Sequence, residues 1–63
     1  MTYLDSYREC NTVDELVAKV RHDVLVAKVW HVFLRLPSIR QALNTVLEEK
    51  HWSMTDELVK AME

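Results

Sequence analysis

The 63-residue chain contains no glycine, and its only proline is Pro37. Left-handed helix caps and tight hairpin turns rely mostly on glycine. A chain without it is poor in sharp reversals, so long helices with few breaks are the expected form. Pro37 becomes the main punctuation mark and is predicted to split the chain into two helical halves.

The first helix is predicted to start at Thr12. Thr12-Val13-Asp14-Glu15 reads as a capping box, in which the Thr hydroxyl accepts from the Glu15 amide and the Glu carboxylate reaches back. Val13, Leu16, Val17, Val20, Val24 and Ala27 then recur at spacings of three and four, the apolar face of a helix. Its end is predicted near Leu36, because a residue before proline avoids the helical region. From Val24 to Leu36 only Lys28, His31 and Arg35 are polar, and with Arg21 they make one narrow stripe. A helix apolar nearly all round is buried nearly all round. The rival reading of this stretch as a buried strand fits its valines but not its length or its lack of alternation.

A second helix is predicted from Ser38, where Ser38-Ile39-Arg40-Gln41 is another capping box. Ile39, Ala42, Leu43, Val46 and Leu47 form its apolar stripe. His51-Trp52-Ser53 either interrupts it, with Ser53 or Thr55 capping a short last helix, or the helix runs on to Met62. The stretch Thr2 to Arg8 shows neither a cap nor a helical face. Tyr3 and Leu4 are expected as anchors on the core, and a short strand pairing with its symmetry mate is an open alternative.

The predicted fold is therefore all-α: one small domain over residues 1–63, a helical hairpin bent at Pro37. A chain of about 60 residues buries only ~60% of the surface its unfolded form exposes. Small scaffolds need a staple. One cysteine, Cys10, rules out an internal disulfide. An intertwined homodimer is the expected staple, with Val24, Ala27, Trp30, Phe33 and Leu34 in its interface together with Leu43 and Leu47.

Charge is segregated. Met1 to Leu16 carries Arg8 against Asp5, Glu9, Asp14 and Glu15, a net of −3; Val17 to Arg40 carries Lys19, Arg21, Lys28, Arg35 and Arg40 against Asp23, a net of +4. Gln41 to Glu63 carries Lys50 and Lys60 against Glu48, Glu49, Asp56, Glu57 and Glu63, a net of −3. This can steer antiparallel packing or an acidic partner, although a solvated face is the plainer reading.

The residues argue against an enzyme. His22, His31 and His51 lack the short ligand spacings of zinc sites. Cys10, before a helix start, could have a lowered thiol pKa, but it lacks a positioned base. Phosphate loops need glycines. No cofactor is expected. The apolar run is shorter than the roughly 20 residues of a membrane span, and the polar, acidic start MTYLDSYREC does not read as a signal peptide. A cytoplasmic protein is expected.

Two binding modes stay open. Trp52, Met54, Leu58 and Met62 form a polarizable apolar set suited to a groove for an amphipathic helix, with simple core packing as the plainer reading. Alternatively, two helices around a break suggest a small DNA-binding regulator that meets phosphates through Arg21, Lys28, Arg35 and Arg40. The acidic net charge, and Glu48 and Glu49 on the second helix, weigh against it.

From MTYLDSYRECNTVDELVAKV through WHVFLRLPSIRQALNTVLEEKHWSMTDEL the chain resembles the small early proteins of lambda-like temperate phages, encoded between the exonuclease and excisionase genes. The resemblance implies a non-enzymatic accessory factor of early development that tilts infection toward lysis in the host bacterial cytoplasm. It implies no catalytic residues. Separately, Tyr3-Leu4, Arg8, Cys10, Thr12, Asp14 and Leu16 are similar to the start of the small enterobacterial hemolysin-expression modulators, which partner nucleoid proteins. That likeness stops near Val20.

Overall fold

The computed structural model describes residues 2–63. It is all-α, with helices α1 (Tyr3–Arg8), α2 (Val13–Val29), α3 (Arg35–Lys50) and α4 (Asp56–Met62), and no strand among the described residues. Helix α1 packs on α3, α4 packs on α2, and α2 meets α3.

Three helices start on threonine. Thr12 Oγ1 accepts the Glu15 amide at 3.2 Å, as expected. The Glu15 carboxylate reaches back one residue further than a simple box, to the Asn11 amide at 2.7 Å. Thr55 caps α4 through the Leu58 amide at 3.2 Å, so the last helix is separate. Thr2 caps α1 through the Asp5 amide at 3.3 Å. The segment left as a strand or an uncapped anchor is thus a short helix. Its Tyr7 is fully buried, and Tyr3 and Leu4 pack against the core as expected.

The predicted bend at Pro37 is displaced. Helix α2 ends at Val29 rather than near Leu36, and α3 begins at Arg35. Pro37 sits in the first turn of α3, where a missing N–H costs nothing because first-turn amides have no intrahelical partner. The two amides before it are satisfied from the connection: Arg35 N donates to Val32 O at 3.0 Å and Leu36 N to Phe33 O at 3.1 Å. The helix therefore starts without a side-chain cap, and Ser38 lies inside it rather than at its boundary.

Both long helices stop the same way. His31 and His51 are left-handed, at φ 57° and 58°. Val32 N donates back to Ala27 O at 2.8 Å and His31 N to Lys28 O at 3.3 Å. Trp52 N donates to Leu47 O at 2.9 Å and His51 N to Glu48 O at 3.3 Å. This pair of bonds, followed by an apolar residue, is the Schellman ending, with histidine where glycine is usual. A left-handed residue with a Cβ costs roughly 1–2 kcal/mol. Part of that is offset in the unfolded chain, which gains freedom with glycine. His51→Gly is therefore expected to stabilise the fold by about 1 kcal/mol, raising Tm by ~4–8 °C. A melt showing no gain or a loss would mean the imidazole contributes contacts that outweigh its backbone strain.

The core draws on all four helices. Leu16, Val17, Val20 and Val24 of α2 meet Ile39, Ala42, Leu43, Val46 and Leu47 of α3, closed by Tyr7 and Cys10 on one side and Leu58 and Ala61 on the other. Across the surface, Arg8 grips Glu49 with two parallel bonds of 2.8 and 2.7 Å, tying α1 to the end of α3. The guanidinium holds the Glu49 carboxyl below its usual range.

Candidate functional site

The expected interface residues separate into two groups. Val24, Ala27, Leu43 and Leu47 lie inside the chain's own fold, between 0 and 5% exposed. Trp30, Phe33 and Leu34 lie outside it, at 73, 54 and 91% exposure. They belong to the connection between α2 and α3. Two further side chains extend them along α2: Leu25 at 57% and Val29 at 64%.

Periodicity explains the arrangement. The inner face of α2 carries Leu16, Val20, Val24 and Ala27 and is buried by α3 and α4. Leu25 and Val29, four apart, stack one turn above the other on the outer face. Trp30 follows Val29, the left-handed His31 then turns the chain, and Phe33 and Leu34 come after it; none of these three apolar side chains joins the core. His31 stands edge-on to Phe33 with ring centroids 6.1 Å apart. Two of the five are aromatic rings, of about 150–250 Å² each, and all five are more than half exposed, so together they present on the order of 600 Å² of apolar surface.

The second expected set also divides. Leu58 is fully buried. Trp52 is half-buried against the core, with the Lys50 ammonium 4.9 Å from its ring centroid. Met54 and Met62, with Val59, line a groove of about 370 Å³ between α3 and α4, rimmed by Arg40 and Asn44. Sequence reasoning missed Leu25, Val29 and Val59 as surface residues. Their signal is an apolar residue on the face opposite a complete core stripe.

The basic stripe does not survive as one surface. Arg21 and Lys28 line a crevice with Lys60 between α2 and α4. Arg35 lines a different groove with Lys19 and His22, and Arg40 lies on the α3–α4 side. The break after Val29 sends Arg35 away from Arg21 and Lys28.

Cys10 is 1% exposed. Burial pushes its thiol pKa up, the opposite of the activation a helix start could give. Among the described residues, no three His, Cys, Asp or Glu side chains gather as metal ligands, and no helix is long and apolar enough to cross a membrane. No protein-family model, curated protein or solved structure matches the chain.

Proposed function

We propose that this protein is a non-enzymatic early developmental factor of a lambda-like temperate phage. It promotes lytic growth in the host cytoplasm by contacting other proteins, as a homodimer. The sequence resemblance supports the biological setting. The observation that carries the molecular part is the exposed run Leu25, Val29, Trp30, Phe33 and Leu34.

A standard interface takes ~800 Å² from each partner. The patch with its immediate rim is of that order, and a second copy supplies an equally apolar surface. A two-fold axis through the patch uses each residue twice. The α3–α4 groove with Met54, Val59 and Met62 then remains for an amphipathic helix of a host or phage protein, to which thioether side chains adapt readily.

Sedimentation equilibrium at micromolar concentration tests the dimer. Burying a leucine is worth about 1.5–3 kcal/mol. Counted twice across a two-fold axis, Leu34→Asp should weaken association by at least ~100-fold. Trp30→Ala should act in the same direction. Because both side chains are exposed in the subunit, the helical spectrum of the dissociated chain should be retained. A wild-type chain that stays monomeric into the millimolar range overturns the reading.

A further inference from the structure

We propose that the groove between α1, α2 and α3 binds a phosphate-bearing ligand of nucleotide size. It is an open groove of about 800 Å³, room enough for a ligand of nucleotide size lying along the surface. Lys19 and His22 line it from α2, Arg35 and Ser38 from the first turn of α3, and Tyr3 from α1.

The uncompensated charge of the groove is Arg35. The whole chain carries −2. Among the lining side chains, Lys19 and Arg35 stand against one carboxylate, Asp23, and one oxygen of that carboxylate accepts the Tyr7 hydroxyl at 2.6 Å; a second carboxylate, Glu9, lies outside the lining beside Lys19. Lys19 is held in place: its ammonium donates to the Ser6 carbonyl at 2.9 Å and lies 4.0 Å from Glu9. Arg35 has no ion-pair partner among the described residues, and the first turn of α3 holds no acid.

These groups suit a phosphate better than a carboxylate or a neutral ligand. A guanidinium offers a planar fork for two phosphate oxygens, and an ammonium adds a point charge beside it. Ser38 stands one turn after Arg35 on the same side of α3 and supplies a neutral donor. His22 is exposed on the α2 wall and adds a ring nitrogen. The remaining length of the groove, walled by the half-buried Tyr3 ring, is far larger than a bare phosphate needs. An aromatic wall suits the base or sugar of a nucleotide. The α3 amides do not contribute, since Arg35 N and Leu36 N are already bonded to carbonyls and Pro37 has none. Recognition therefore rests on side chains.

Amide NMR titration of the full chain at fixed ionic strength tests this with three probes: sodium phosphate, AMP and a short oligothymidylate. AMP is expected to shift Lys19, His22, Arg35 and Ser38 saturably, more tightly than phosphate. Arg35→Gln should weaken AMP binding about tenfold, the loss of one charge-assisted pair. Arg21→Gln and Lys60→Gln, on the α2–α4 crevice, should leave it unchanged. Arg35 is exposed, so unchanged melting of its variant separates lost binding from lost fold. Tighter saturation by AMP than by oligothymidylate, per phosphate, assigns a free nucleotide; the reverse order assigns a nucleic-acid backbone, with the same phosphate chemistry. No saturable shift up to about 10 mM of any probe, a free-energy scale of roughly 3 kcal/mol, overturns the proposal. So does an equal loss in Arg21→Gln.

Discussion

Tyr7→Ala is expected to remove about 3–5 kcal/mol, the usual cost of deleting a buried aromatic ring. At roughly 0.05–0.15 kcal/mol per residue, a chain of this size has only ~3–9 kcal/mol to lose. Most of the fold is therefore at stake in one side chain. Tyr7 is fully buried, and its hydroxyl donates to Asp23 across the α1–α2 contact. Tyr7→Phe keeps the ring and loses the bond, so about 1–2 kcal/mol is expected. The pH dependence separates the two effects. Burial, and then the bond to Asp23, hold the phenol protonated well above its ordinary range. The native state keeps a proton that the unfolded state releases near pH 10. The folded pKa is the higher one, so this stability is complete below pH 10 and falls as pH rises, by up to ~1.4 kcal/mol per unit. Urea unfolding between neutral pH and pH 11 should show a steep alkaline decline in the wild type and a shallower one in Tyr7→Phe. Equal declines would show that Tyr7 does not hold that proton.

The core stripes were legible because each lies on one helix. Leu16, Val20, Val24 and Ala27 on α2, and Ile39, Leu43, Val46 and Leu47 on α3, follow a period that the sequence displays directly, and all are buried. The helix ends were less legible. Without glycine, nothing in the composition marks a left-handed stop. The marker is a histidine after a lysine-containing last turn, followed by Val32 in one case and a tryptophan close behind in the other. Pro37 was read as a stop although it also fits the start of a helix; the carbonyls of Val32 and Phe33 decided between the two by satisfying the amides before it. Thr2 with Asp5 three residues later was a visible cap that the short segment behind it obscured.

The candidate site was half legible for a related reason. The run from Val24 to Leu36 is apolar apart from Lys28, His31 and Arg35, and that much needs no structure. Which of its residues face their own chain depends on α4, whose contact with α2 spans more than thirty residues of sequence and leaves no periodic trace. Val24 and Ala27, expected at a contact between copies, are enclosed within the chain, at 3 and 1% exposure. Leu25, at the rim of the α2–α4 crevice, and Val29 stay more than half exposed.

The packing of α4 on α2 hangs largely on Leu58. Helix α4 has seven residues, far fewer than the ~12–15 an isolated helix needs to persist in water. Packing must hold it, and its two buried side chains are Leu58, fully enclosed, and Ala61. Leu58→Ala should cost about 2–5 kcal/mol, through lost transfer energy and the cavity left behind. Val59→Ala, next in sequence but 47% exposed, should stay within about ±0.5 kcal/mol. Thermal melts of the two variants test the placement directly, and equal midpoints would overturn it. A second signature follows from where α4 sits. Val24 and Ala61 line one crevice, so loosening α4 uncovers the inner face of α2. Leu58→Ala should then self-associate more strongly than the wild type as it is warmed below its midpoint, seen as concentration-dependent light scattering. Leu34→Asp added to Leu58→Ala should leave that scattering in place, because the newly exposed face centres on Val24 within α2, away from the connection that carries Leu34. If Leu34→Asp abolishes it, the association comes from the native patch alone and α4 has not moved.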